Sequence, residues 1–227
     1  MRILAIDTAL EACSAAVIDT ERARMATESL PMERGHAEAL MPLIARVMKQ
    51  AEMPFTALDR IGVTTGPGRF TGLRVGIAAA RGIALSTGKP AFGLTTLAAF
   101  AAPHIAADNS AGITVAIDAR HQHVYMQVFA PGGRAVIPPR IASAEDAARA
   151  ARTHGATWLT GTGSGLLAAA WPERAKPPII IDERRAPDIV WVGRLAIAAK
   201  ENASPPKPLY LRAPDAQPQD ASRLPRR

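Results

Sequence analysis

Two aspartates stand where chemistry could begin. Asp7 closes the apolar run Ile3-Leu-Ala-Ile6, and Asp118 closes a second run in which Ala116-Ile117-Asp118 repeats Ala5-Ile6-Asp7. A carboxylate at the C-terminal end of a buried strand is well placed to hold a metal or position a phosphate. The turn after Asp7, Thr8-Ala-Leu-Glu-Ala12, has neither the glycine nor the Lys or Arg of a phosphate loop. The turn after Asp118, Arg120-His-Gln-His123, has bases but no glycine. Asp7 therefore reads equally well as a structural carboxylate bonding turn amides. Gly66-Pro-Gly68-Arg-Phe-Thr71-Gly72 lies between a strand and a helix, where backbone N–H groups can cradle phosphate. It is not a Walker A loop, because no Gly-Lys-Ser/Thr follows. A tight turn that lets two elements meet closely is the preferred reading, and Gly161-x-Gly163-x-Gly165 is a weaker echo of it. His36-Ala-Glu38 is the only histidine–carboxylate pair at close spacing; with no third ligand, no metal site is expected. Cys13 reads as a small buried hydrophobe, and no Ser-His-Asp or Cys-His set is recognisable.

The elements that would position these residues follow from periodicity. Ile3–Asp7 and Cys13–Ile18 form a hairpin. Ala37–Ala51 is an amphipathic helix with Leu40, Leu43, Ile44, Val47 and Met48 on one face, although Pro42 must sit in its first turn or kink it. Ile61–Thr65 is a strand, and a helix starts near Thr71-Gly72 and stops at Gly88 and Pro90. Along that helix Gly72, Gly76, Ala80 and Ala84 recur every four residues, a stripe almost without side chains. Each glycine costs a helix about 1 kcal/mol relative to alanine, so something must approach this backbone closely in return. A helix over Leu97–Ala107 ends the first half, and Asp108–Gly112 is the best boundary. Strand, Asp, turn and strand then recur, followed by a helix capped by Ser143, the strand Thr157–Thr160, the second glycine loop and a helix over 189–201 capped by Asp188. This pattern predicts an α/β protein with a duplicated actin-like ATPase fold (ASKHA, RNase H-like) in two lobes. The first lobe spans 1–108 and the second 109–212, with the last helix packing back on the first lobe; 213–227 is a disordered, basic, Pro-rich tail.

Composition narrows the class. The chain has 227 residues, 48% hydrophobic, enough for a substantial core. One cysteine rules out an internal disulfide and suits a reducing cytoplasm, and no apolar run is long enough for a membrane span. The net charge of +7 invites nucleic acid, but it is scattered and only 4% of residues are aromatic, which argues against a base-stacking platform.

The motifs together resemble the bacterial TsaB (YeaZ) family of the tRNA threonylcarbamoyladenosine machinery. The resemblance runs from Ile3 to Arg212. It rests on Ile3-Leu-Ala-Ile-Asp7-Thr8, Cys13-Ser14, His36-Ala-Glu38-Ala-Leu40-Met-Pro42 and, above all, Gly66-Pro-Gly68-Arg-Phe-Thr71-Gly72-Leu-Arg74-Val-Gly76. Ile117-Asp118-Ala-Arg120, Val124-Tyr125 and Pro208-Leu-Tyr210-Leu-Arg212 complete it. His121-Gln-His123 departs from the glycine and acidic residue usual in the family. The resemblance implies a non-catalytic partner of TsaD, the subunit that transfers threonylcarbamoyl to tRNA adenosine, with the ATPase TsaE joining the pair. It implies no cofactor on this chain, ATP and metal being held by the partner subunits. It also implies contact with tRNA only through the complex, and a homodimer when TsaD is absent. TsaD-like proteins bind metal with a histidine pair where this chain has His36 and Glu38.

From these expectations the partner surface is assigned to two helices: Leu40, Leu43, Ile44 and Val47 on one, and Gly72, Leu73, Gly76, Ile77, Ala80 and Ile83 on the other. Two rival readings of the same frame are an autonomous ATP-binding enzyme and a metalloprotease-like hydrolase.

Overall fold

The computed structural model describes residues 1–200 and 205–212. The expected tail at 213–227 and the end of the last expected helix lie outside the described residues. Apolar runs from both halves pair into two five-stranded sheets. In the first, β1 (Arg2–Asp7), β2 (Ala12–Asp19) and β3 (Arg24–Pro31) form an antiparallel meander, with Asp7 opposite Ser14. α1 (His36–Gln50) leads to β4 (Arg60–Gly66), parallel to β1, and α2 (Phe70–Thr87) leads to β5 (Ala91–Thr95), parallel to β4. The helix α3 (Thr96–Ala107) ends the unit.

The second half repeats this sequence of elements. β6 (Ile113–Asp118), β7 (His123–Phe129) and β8 (Ala135–Ser143) form the meander; α4 (Ala144–Thr153), β9 (Trp158–Thr160), α5 (Ser164–Ala169), β10 (Ile179–Asp182) and α6 (Ile189–Ala198) follow. The strand orders β3-β2-β1-β4-β5 and β8-β7-β6-β9-β10 are the same topology twice. Ser143 and Asp188 cap α4 and α6 through backbone N–H groups of Asp146 and Val190.

Each repeat's last helix packs across the divide. From α3, Leu97, Phe100 and Ala101 pack with Ile113, Val115 and Ile117 of the second sheet. From α6, Ile189 and Val192 pack on Ala5 and Ala16 of the first. Small residues on the sheet let α6 lie close, and Arg60, at the start of β4, holds its end. That guanidinium is 7% exposed and donates to the carbonyls of Ala196, Ile197 and Ala199 at 3.0, 3.3 and 3.1 Å, a cation at the negative end of the helix dipole.

Pro42 lies inside α1 rather than in its first turn, on the exposed side, where water can serve the carbonyl that loses its donor. Among the described residues no helix is long and apolar enough to cross a membrane.

Candidate functional site

The turns after β1 and β6 face each other across a cleft of about 840 Å³. Glu11, Gly68, Arg69 and Phe70 line it from the first lobe; Asp118, Arg120, Tyr125, Thr162, Glu183 and Arg185 line it from the second, with Arg212 at the edge.

The two aspartates do not share a ligand position. Asp118 is exposed and accepts the Arg120 N–H at 2.7 Å, while its own N–H donates to the Thr162 hydroxyl. Asp7 is fully buried: Oδ1 accepts from the Thr64 hydroxyl at 2.5 Å and the Ala9 N–H at 3.3 Å, and Oδ2 has no hydrogen-bond partner. Burial pushes its carboxyl from the usual 3.8 up to about 6, with the two hydrogen bonds opposing that rise.

The glycine loop lies against the turn that follows Asp7. The Thr8 hydroxyl donates to the Gly72 carbonyl at 2.7 Å, and the Arg69 N–H donates to the Ala9 carbonyl at 2.8 Å. A Cβ on Gly68 would collide with the Ala9 carbonyl oxygen, and one on Gly72 with that of Thr8. The loop therefore presses its backbone on the chain's own hairpin turn, and its Arg69 N–H is taken by the Ala9 carbonyl.

The same contact corrects the expected partner surface. Gly72, Leu73, Gly76, Ile77, Ala80 and Ile83 of α2 are all buried, as are Leu40, Leu43, Ile44 and Val47 of α1. The side-chain-free stripe faces inward because Thr8 takes the space beside Gly72 and Gly76. These ten residues are core and present no surface to a partner; the exposed residues of the two helices lie on their outer faces. There Met41, Pro42 and Ala45 are exposed on α1, and Thr71, Arg74, Ala78, Arg81, Gly82 and Leu85 on α2. Leu85 is 87% exposed and Met41 48%.

His36 is buried with Nε2 3.2 Å from the Leu10 carbonyl, whereas Glu38 is exposed, so they build no common site. Among the described residues no group of three His, Cys, Asp or Glu could hold a metal ion. Cys13 is buried, and its thiol is pushed up to about 11 chiefly by desolvation. Gly66 starts the loop with φ 112°, against Leu209.

Two features go beyond the sequence reading, although Pro208–Arg212 stood out there as a motif. Glu11 bridges the cleft, accepting from Arg69 Nη2 at 2.8 Å and Arg185 Nη1 at 2.7 Å. Residues 205–212 form a strap in which the Leu209 N–H donates to the Thr65 carbonyl and Arg212 Nη1 to the Ala119 carbonyl, one contact on each lobe. Tyr210 stacks on Phe70 with centroids 5.5 Å apart and accepts from Arg74 Nε at 3.0 Å. The Arg74 guanidinium also sits 3.8 Å from the Phe70 ring centre.

Residues 31–213 match the model of the family described as TsaD, tRNA N6-adenosine threonylcarbamoyltransferase. The chain is 31% identical over 221 residues to an uncharacterised protein of Mycobacterium tuberculosis, covering 95% of this chain and 94% of the relative. It is 36% identical over 125 residues to the tRNA threonylcarbamoyladenosine biosynthesis protein TsaB of Escherichia coli, covering 55% of this chain and 53% of that protein. The structure of YeaZ from Pseudomonas aeruginosa superposes with a TM-score of 0.75 at 26% identity, covering 92% of this chain and 99% of that one. A glucokinase of Streptomyces griseus shares only the fold, with a TM-score of 0.52 at 11% identity over 88% of this chain and all of the kinase.

Proposed function

Because this chain belongs to the TsaB (YeaZ) family, within the group that the threonylcarbamoyltransferase model describes, we propose that it is the non-catalytic scaffold of the tRNA threonylcarbamoyladenosine-modifying complex. In this role it binds TsaD, supports the ATPase TsaE at the resulting pair, and meets tRNA through the assembly, in the cytoplasm. ATP and metal are handled by the partner subunits. The observation that carries this reading is the glycine loop seated on Thr8 and Ala9: the loop spends its Arg69 N–H and its close backbone approach on the chain's own turn, and Asp7 is buried beside it. A frame built for nucleotide chemistry is used here for packing.

The docking surface in this proposal is the outer face of α1 and α2. Met41, Pro42 and Ala45 from one helix, with Ala78, Gly82 and Leu85 from the other, offer an apolar strip in which Met41 and Leu85 stand out among small residues. Such a strip can pack against an equivalent helix pair as a bundle, with TsaD or with a second copy of this chain. The test is co-purification with TsaD, followed by tRNA modification by TsaD and TsaE with and without this chain. The expected result is a complex and modification that depends on the chain. Modification by TsaD and TsaE at the full rate without it overturns the scaffold role. Turnover of ATP by the isolated chain, lost in Asp118→Ala, would favour the rival enzyme.

A further inference from the structure

We propose that Glu11 is a built-in ligand of the interlobe cleft: its carboxylate occupies an anion position between the lobes and holds them at one setting with no small molecule bound. Glu11 sits in the turn between β1 and β2, and each of its oxygens takes a different guanidinium. Oε1 accepts from Arg69 Nη2 at 2.8 Å, on the first-lobe loop before α2. Oε2 accepts from Arg185 Nη1 at 2.7 Å, on the second-lobe connection between β10 and α6. The Glu11 N–H also reaches the Arg185 carbonyl, at 3.4 Å.

The geometry is that of a ligand clamped between domains. One acceptor group meets donors from both walls. Arg69 is held independently by the Glu33 carbonyl at 2.9 Å, so it stays in position whatever Glu11 does. Arg185 is 75% exposed and has spare N–H groups. The Glu11 carboxylate therefore stands between two guanidiniums as their shared acceptor, with the Glu33 carboxylate 3.9 Å from Arg69 and Glu183 and Asp118 elsewhere on the cleft wall. Guanidinium forks match phosphate oxygens as well as they match carboxylates. With Glu11 neutralised, the two arginines repel across the cleft and form a site for a compact polyanion such as pyrophosphate.

The arrangement is tested on the full chain alone, independently of any tRNA role, by amide hydrogen exchange with inorganic pyrophosphate as the probe. Both pairs are partly solvated, so the effect is modest. Glu11→Gln should speed exchange in residues 183–187 about three- to tenfold while keeping the wild-type circular dichroism spectrum. Pyrophosphate should return that variant to the wild-type rate and leave the wild type unchanged. Arg185→Ala, a substitution at an exposed side chain, should open the same segment, and pyrophosphate should not close it. Wild-type exchange in both variants overturns the latch. Pyrophosphate protection of the wild type equal to that of Glu11→Gln, or none in Glu11→Gln, overturns the claim that Glu11 fills an anion site.

Discussion

Thr8 and Gly72 are locked together: the Thr8 hydroxyl donates to the Gly72 carbonyl at 2.7 Å, and the Thr8 carbonyl oxygen stands where a side chain on Gly72 would begin. A methyl at this position has no flexible neighbour to displace. Gly72→Ala should lower stability by about 2 kcal/mol or more, overpacking outweighing the gain of about 1 kcal/mol in helix propensity. Gly82, on the same helix, has nothing within 4 Å of a built Cβ, so Gly82→Ala should raise stability by about 0.5–1 kcal/mol. Urea unfolding of the two variants beside the wild type checks both signs.

Asp7 gives the fold a pH dependence. Its carboxyl titrates at about 6 when folded against 3.8 ordinarily, so between those values the native state holds a proton that the unfolded chain has released. Stability from this group is full below the unfolded value and is lost as pH rises through about 6, on the order of 3 kcal/mol in all. Asp7→Asn should flatten the fall in stability between pH 4 and 6.5 or so. Denaturation midpoints across that range in wild type and variant are the measurement.

Arg60 should be far less replaceable than its charge suggests. Arg60→Met removes the donor to three carbonyls at the end of α6 and leaves them buried or partly buried. A loss of about 2 kcal/mol is expected, with exchange of the α6 amides accelerated before those of β1. An α6 that exchanges at the wild-type rate would show that the helix end is held by packing alone.

Leu85→Glu places a charge on a side chain that is 87% exposed and touches little of its own fold. Chain stability should stay within about 0.5 kcal/mol of the wild type. Capture of TsaD should fall by tenfold or more if Leu85 lies at the centre of the docking strip. Gly76→Leu, the obvious probe of a helix–helix stripe, would instead drive a side chain into the Thr8 hydroxyl and report on folding.

The sequence made much of this molecule legible. Strand, Asp, turn, strand appeared twice because buried strands are apolar runs and because turns need polar residues; the two sheets repeat one order of strands. The strands β3, β8 and β10 carry weak signals: Arg24–Pro31 alternates poorly, Ala135–Ser143 holds two prolines, and Ile179–Asp182 is only four residues long. The inward stripe of α2 was legible as a close approach, but side-chain absence has no direction, and it reads alike for a neighbour inside the chain or outside it. Glu11 had no signature at all. An acidic residue in a turn becomes a bridge only when residues 58 and 174 positions away arrive beside it.

The exchange of last helices between repeats has a consequence for synthesis. The first sheet leaves the ribosome early, yet the face of Ala5 and Ala16 stays uncovered until α6 has been made, and Thr65 meets the strap only at Leu209. The first lobe therefore waits with one face of its sheet uncovered through nearly all of translation, and the last-made helix is what closes it.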